Sequence, residues 1–243
     1  MKKQKRLESL TALRFLFFVF VFLSHYMMGE NRVLPHGGAF AVVFFYMLSG
    51  FSMSYGYGDK IDDMPYGKFV KKRLVQLYPM QLVTHLLRAV PFLFIPLLSG
   101  VVDYEKITSF VLKLFFLEAW VPNENIIFGF NSCAWYLSPL VFCYFIFPLL
   151  FKWICKSSSK TLASAMLGYL FVYGICTRLI PEERQQVFIY AAPYFRFFDF
   201  ALGIVLYRIV MSDYFHRIVD KITSWGGRNT VIVIANSNRL VAS

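Results

Sequence analysis

Six long apolar stretches constrain the fold of this chain more than any other feature of its sequence. They cover residues 10–28, 38–57, 74–98, 135–154, 162–180 and 187–211. A helix needs about 20 apolar residues to cross the hydrocarbon core of a bilayer. Lipid can surround such helices, whereas a soluble domain of this size buries only part of its surface. We therefore predict an all-α fold, a polytopic transmembrane helical bundle of about six spans.

A seventh apolar stretch, residues 107–120, is shorter and carries Lys113 and Glu118. Charged groups at membrane depth must be covered by protein, so we predict a re-entrant or interfacial helix there. Only 16% of the 243 residues are charged, against about 25% in ordinary soluble domains. We predict one transmembrane domain over residues 1–228 and a short tail, 229–243, that resembles an interrupted end.

The net charge of +11 is distributed unevenly along the chain. Most of the 25 lysines and arginines lie in segments that share one side if the N-terminus is cytoplasmic, and Arg32, Lys106 and Arg184 lie in the opposite segments. This asymmetry is typical of cytoplasmic membrane loops, and it argues against nucleic acid as a partner. We predict a multi-pass protein of the cytoplasmic membrane with its N-terminus inside.

The first apolar stretch contains two chemically active side chains, Arg14 and His25. On a helix, this spacing places them about 20° apart around the axis and about 16.5 Å apart along it. An imidazole can exchange protons near neutral pH, so His25 is our candidate general base. The permanent charge of Arg14 suits a phosphate or carboxylate. Separately, snorkelling for Arg14 and an interfacial position for His25 are structural alternatives.

Other polar groups near the membrane have both functional and structural interpretations. Ser49 precedes Gly50, so the pair could bind substrate or allow close helix packing. The run Lys71, Lys72 and Arg73 could bind an anionic cofactor or anionic lipid. Trp135 fits an interfacial aromatic belt as well as a binding site. An intrahelical ion pair competes with a substrate-binding role for Arg196 and Asp199, which lie three residues apart.

Five short motifs resemble, in order, those of the acyltransferase-3 family of integral membrane O-acyltransferases. The first is the arginine, ten residues and histidine from Arg14 to His25, entered through LESLTALR at 7–14. The others are FYMLSGF at 45–51, RLVQLYP at 73–79, WYLS at 135–138 and RFFDFALG at 196–203. Gln76 stands where many members carry a second arginine, and Leu140 where many carry a glutamate. Members also have about ten spans, so the chain resembles an incomplete copy.

The resemblance implies transfer of an acyl group, often acetyl, from acyl-coenzyme A to a hydroxyl of a carbohydrate. Exopolysaccharide, O-antigen and lipid-linked glycan are acceptors of this kind. His25 and Arg14 would then be catalytic, and the lysine-arginine run would hold the coenzyme. The substrate would meet five further side chains: Ser49, Trp135, Ser138, Arg196 and Asp199.

Three alternatives remain open from the sequence. The first is a transporter or flippase for a small anion or lipid-linked sugar, which would show broken helices in repeated halves. The second is a structural subunit of a membrane complex, and the third is an inactive, shortened membrane protein. The four cysteines form no CxxC pair and have no histidine at ligand spacing, so we expect no metal site.

Overall fold

A computed structural model describes residues 8–28, 31–34, 37–129 and 131–225, and these residues are mostly helical. The α-helices, in chain order, are α1 Glu8–His25, α2 Gly37–Tyr57, α3 Tyr66–Ala89, α4 Ile95–Leu98, α5 Tyr104–Leu114, α6 Glu124–Phe128, α7 Leu137–Lys156, α8 Ser159–Leu179, α9 Glu182–Gln185, α10 Pro193–Val210 and α11 Asp213–Trp225. Short 3₁₀ turns occupy Gly58–Lys60, Glu118–Trp120 and Ser132–Ala134, and π-helical turns occupy Val90–Phe94 and Gln186–Tyr190.

One two-residue ladder interrupts the helical pattern. Between α1 and α2, strand β1 (Met27–Met28) pairs antiparallel with β2 (Asn31–Arg32). The tail at 229–243 lies outside the described residues.

Several helices are long and apolar enough to cross a bilayer, which confirms the predicted polytopic helical bundle. In the part of the chain that the structure describes, four qualify: Gly37–Tyr57, Tyr66–Leu98, Ser132–Lys156 and Ser159–Leu179. The bent pair Glu182–Tyr190 and Pro193–Val210 makes a fifth if it is counted as one span. The apolar part of α1, Leu10–His25, is shorter. The structure therefore supports four or five spans by length, where the sequence predicted about six.

The third span starts earlier than its apolar residues indicated. Helix α3 begins at Tyr66, directly after Pro65, and continues through the π-turn and α4 to Leu98. Proline is favoured at a helix start because it has no N–H to leave unpaired. The helix continues without interruption from Tyr66 through Gly67 and past Pro79, so Lys71, Lys72 and Arg73 lie on it and not in a loop before it.

The last apolar stretch, predicted as one continuous helix, is broken instead. The segment Glu182–Tyr190 meets α10 at an angle of 52°. Pro193 disfavours a helical conformation at the residue before it, and Ala192 is extended, with φ −67° and ψ 128°. The break brings the start of α10 to the edge of the cavity described below.

Helix α5 is too short to cross a bilayer by itself. Its 11 residues extend about 16.5 Å, roughly half of the hydrocarbon thickness. Phe116 then turns the chain with a positive φ of 57° before the 3₁₀ turn Glu118–Trp120. Lys113 and Glu118, the two charged residues of the apolar stretch 107–120, are fully buried.

Helix α2 is the centre of the bundle because it packs against both α1 and α10. Two glycines allow α2 and α10 to approach closely. A Cβ on Gly50 would collide with the Phe200 carbonyl, and one on Gly203 would collide with the Met47 carbonyl. Small residues at such crossings are typical of membrane helices, whose association depends on close packing. On the other side of α10, Phe147 of α7 packs edge-on against Phe200.

Candidate functional site

A cavity of about 850 Å³ lies where α1, α2 and α10 meet the short segments before α7 and α10. We call it the His25 cavity. Four residues singled out from the sequence line it: His25, Ser49, Trp135 and Arg196. A pocket of this size, with a few polar groups on largely apolar walls, is typical of small-ligand sites. Side chains from four of the five motifs recognised in the sequence therefore line one cavity.

The imidazole of His25 is held in one orientation by the last turn of its own helix. Nδ1 lies 2.8 Å from the Val21 carbonyl oxygen and 3.1 Å from Ser24 Oγ. Since a carbonyl oxygen only accepts hydrogen bonds, Nδ1 carries the proton in this contact. In the neutral ring, Nε2 then keeps its lone pair, and it has no hydrogen-bond partner among the described residues. This is the tautomer that a general base requires.

Ser49 and Gly50 have different neighbours. Ser49 lines the His25 cavity, whereas Gly50 provides the close contact with α10.

Trp135 is buried, with 8% of its surface exposed. Its ring packs edge-on against Phe128 and tilts against Tyr190, with centroids 5.9 Å and 4.9 Å away. Aromatic side chains from three separate segments thus form one wall of the cavity. Ser138, in the first turn of α7, is buried and does not line the cavity. Its Oγ has no hydrogen-bond partner in the described part of the chain.

Arg196 and Asp199 form a buried ion pair on α10. Arg196 Nη1 lies 2.7 Å from Asp199 Oδ2, and both side chains are nearly inaccessible. The guanidinium of Arg196 also lies 5.4 Å from the Tyr190 ring centroid. Arg196 lines the cavity and Asp199 does not. The carboxylate therefore compensates the charge of Arg196 and holds it from behind.

Four of the basic residues recognised in the sequence do not line the His25 cavity. We call Arg14, Lys71, Lys72 and Arg73 the basic cluster. Arg14 donates a hydrogen bond of 2.8 Å to Ser52 Oγ of α2, so both Arg14 and His25 face that helix. Neither Arg14 nor Arg73 has an acidic partner among the described residues.

Arg73 is the best packed member of the basic cluster. Its guanidinium lies 4.4 Å from the Tyr57 ring centroid and 5.9 Å from that of Tyr144, and it donates to Gln76 Oε1 at 3.2 Å. Lys72 approaches the same Tyr57 ring, at 5.4 Å, whereas Lys71 is exposed. Arg14 and Arg73 both lie within electrostatic range of the Tyr144 hydroxyl. In the part of the chain that the structure describes, no carboxylate forms an ion pair with any of these four cations.

Several cavity residues were not identified from the sequence. Tyr46, Glu124, Cys133, Gln186 and Tyr190 all line the His25 cavity. Tyr46 lies inside the FYMLSGF motif, which is the one signal that could have identified it. The described residues contain no group of three or more His, Cys, Asp or Glu side chains that could hold a metal ion.

Two comparisons connect this arrangement to known proteins. A family model described as an acyltransferase domain matches residues 7–226. Acyltransferase MdmB of Streptomyces mycarofaciens is 28% identical over 231 residues, which cover 85% of this chain and 58% of MdmB. The chain thus spans less than two thirds of this relative. No solved structure matches the chain significantly.

Proposed function

The chain belongs to this acyltransferase family, and from that premise we propose that it is a membrane O-acyltransferase. In this proposal it moves an acyl group, typically acetyl, from a coenzyme A thioester to a hydroxyl of a cell-surface or lipid-linked carbohydrate. The observation that carries the proposal is the geometry of His25. Its Nδ1 is bonded to the Val21 carbonyl, and its Nε2 has no hydrogen-bond partner among the described residues, beside a cavity large enough for a sugar.

The proposed reaction needs one group that takes a proton and returns it. His25 Nε2 accepts the proton of the acceptor hydroxyl while that oxygen attacks the thioester carbonyl carbon. A carbon–oxygen bond forms, the carbon–sulfur bond breaks, and the coenzyme leaves as a thiolate. The thiolate then takes the proton from the His25 imidazolium, so the ring returns to its starting state. The Nδ1 contact with Val21 holds the ring in place throughout.

The donor is proposed to bind through the basic cluster. Coenzyme A carries phosphates at one end and its acyl thioester at the other, so it can connect two distant sites. Arg14 and Arg73 both lie within electrostatic range of the Tyr144 hydroxyl, and neither has an acidic partner among the described residues. Arginine forms strong hydrogen bonds with phosphate. Lys71 and Lys72 add charge at the exposed edge. Because Arg14 is about 16.5 Å from His25 along α1, the cluster would hold the phosphates and not the reacting carbonyl.

The acceptor is proposed to lie in the His25 cavity, against the ring of Trp135. Ser49, Arg196 and Gln186 supply hydrogen-bonding groups around it, which suits a ligand with several hydroxyls. Ser138 and Asp199 would act indirectly, from behind this lining. Exopolysaccharide, O-antigen and lipid-linked glycan all fit this description. With the N-terminus in the cytoplasm, the cavity would open toward the outer side of the cytoplasmic membrane, where such glycans occur.

Substitution of His25 tests this proposal. We expect His25→Ala to lower acyl transfer from labelled acetyl-coenzyme A to glycan acceptors by about 10²- to 10⁴-fold, the usual range for loss of a general base. The matched control is His216→Ala, because His216 lies on α11, away from the cavity. Full activity of His25→Ala would refute the proposed base. Movement of glycan across membranes without incorporation of label would favour a transporter instead.

A further inference from the structure

One wall of the His25 cavity is a short segment with little regular secondary structure of its own. We call residues 131–136 the wall segment. It contributes Ser132, Cys133, Trp135 and Tyr136 to the cavity lining, yet its only regular structure is the 3₁₀ turn Ser132–Ala134. A single 3₁₀ turn has few internal hydrogen bonds, so other parts of the chain must fix its position.

At its start, the wall segment is bound by a buried amine. Lys113 of α5 is fully buried, and its Nζ donates to the Ile127 carbonyl at 2.5 Å and to the Asn131 carbonyl at 3.1 Å. Ile127 lies in the last turn of α6, where unpaired carbonyls favour a cation. A single side chain therefore ties the end of α6 to the first residue of the wall segment.

Burial and a nearby carboxyl group act on the pKa of Lys113 in opposite directions. Burial lowers its pKa to about 8, and the negative charge of Glu118, itself fully buried, opposes that shift. Burial also raises the Glu118 pKa, against the effect of Lys113. An amine donates to carbonyl oxygens whether or not it is protonated, so the bonds to Ile127 and Asn131 do not depend on the charge of Lys113.

At its end, the wall segment is bound by a buried phenol. The Tyr46 hydroxyl donates to the Tyr136 carbonyl at 2.6 Å, and only 2% of the Tyr46 surface is exposed. The two residues are 90 positions apart in the chain. Tyr46 belongs to α2, the helix that also carries Ser49 into the cavity. This bond therefore fixes the wall segment relative to the opposite side of the cavity.

We propose that Lys113 and Tyr46 are positioning residues that clamp the two ends of the wall segment and thereby shape the acceptor site. The inference rests on the proposed function, because it takes the His25 cavity as the place where the acceptor binds. Neither residue is required to touch the donor or to move a proton. Loss of either bond releases one end of the wall segment, which displaces Trp135 and weakens acceptor binding.

The experiment compares Tyr46→Phe with Tyr66→Phe. Each change removes one hydroxyl, and Tyr66 also donates to a distant backbone carbonyl, that of Phe145, at 3.0 Å. For Tyr46→Phe we expect the acceptor KM to rise about three- to tenfold, as for loss of one hydrogen bond, with the donor KM unchanged. Tyr66→Phe is expected to leave both constants unchanged.

Lys113→Met is the second variant, and Arg208→Met is its control. Arg208 also donates to two backbone carbonyls, those of Ile154 and Ser157, but at the far end of α7. We expect a larger rise in acceptor KM for Lys113→Met than for Tyr46→Phe, and partial recovery in Lys113→Arg, which keeps a cationic donor. Tyr46→Phe alone decides the proposal if Lys113→Met fails to fold.

A second readout does not depend on activity. Cys133 is exposed on the wall segment, and Cys155 is exposed at the other end of α7, so maleimide labelling of both compares the wall with a reference site. Release of the clamp is expected to raise the Cys133 labelling rate severalfold while the Cys155 rate stays the same. An unchanged Cys133 rate, or an unchanged acceptor KM in active Tyr46→Phe protein, would overturn the clamp. If the wild type transfers no label, the proposed function fails, and the Cys133 rates alone decide on the clamp.

Discussion

In the proposed reaction, two residues of α1 have separate roles: Arg14 binds the donor, and His25 acts on the acceptor. Arg14 contacts Ser52 at one end, and His25 is oriented by Val21 at the other. About 16.5 Å of helix separates them, so a small ligand cannot touch both. Substitutions at the two ends are therefore expected to affect different kinetic constants.

Arg14→Gln tests the donor end. It removes a charge from the basic cluster and keeps a polar side chain. We expect the KM for acyl-coenzyme A to rise at least tenfold, as for loss of a charged hydrogen bond, and to depend less on salt. The acceptor KM is expected to stay the same.

Arg178→Gln is the matched control for this measurement, because Arg178 is an exposed arginine in the last turn of α8, outside the basic cluster. Equal effects of the two substitutions on the donor KM would contradict a specific role for Arg14. So would an effect of Arg14→Gln confined to the acceptor KM.

Sequence patterns identified some site residues and missed others for a physical reason. Arg14 and His25 stand out because a charge or imidazole within an apolar stretch is costly. The role of Tyr46 depends on a contact across 90 positions, which no local pattern encodes. Lys113 was recognised as an unusual charge, but its hydrogen bonds to Ile127 and Asn131 became apparent only in the fold.

Helix α2 has important neighbours on several sides. It faces α1, contributes Ser49 to the cavity, and meets α10 at Gly50 with no space for a side chain. Gly56, on the same helix, has no other atoms within 4 Å of the position that a Cβ would take. The two glycines therefore separate the effect of close packing from the effect of glycine on helix propensity.

Gly50→Ala is expected to destabilise the bundle, whereas Gly56→Ala is not. The added methyl group at Gly50 would collide with the Phe200 carbonyl, and we expect a loss of about 1–3 kcal/mol, typical of overpacking. Gly56→Ala should be neutral or stabilising by up to about 1 kcal/mol. Thermal unfolding of the purified variants in detergent measures both effects. A Gly50→Ala protein as stable as Gly56→Ala would contradict the close α2–α10 contact.

Helix boundaries were predicted well where the length of the apolar stretch determines them. They were predicted less well where a proline starts or breaks a helix. Helices α2 and α8 follow the predicted stretches closely. The early start of α3 and the break before α10 follow from Pro65 and Pro193. A prediction based only on the length of apolar stretches does not take these prolines into account. The prolines were visible in the sequence, but the 52° angle between the two halves depends on packing.

At the scale of the whole molecule, the His25 cavity and the basic cluster, the two proposed binding regions, lie at opposite ends of the bundle. The span Ser132–Lys156 begins at the His25 cavity and ends near the segment before α3, where Lys152 pairs with Asp62. The basic cluster lies on α1 and α3, away from the cavity. With the N-terminus in the cytoplasm, the donor would bind from inside and the acceptor from outside.

Transfer across a sealed membrane tests this arrangement most directly. The purified chain is reconstituted into vesicles, and an impermeant maleimide establishes its orientation by labelling Cys133 from one side and Cys155 from the other. We predict that label from acyl-coenzyme A reaches the glycan only when the donor is on the Cys155 side and the acceptor on the Cys133 side. Equal product with donor and acceptor both confined to the Cys133 side would contradict the account.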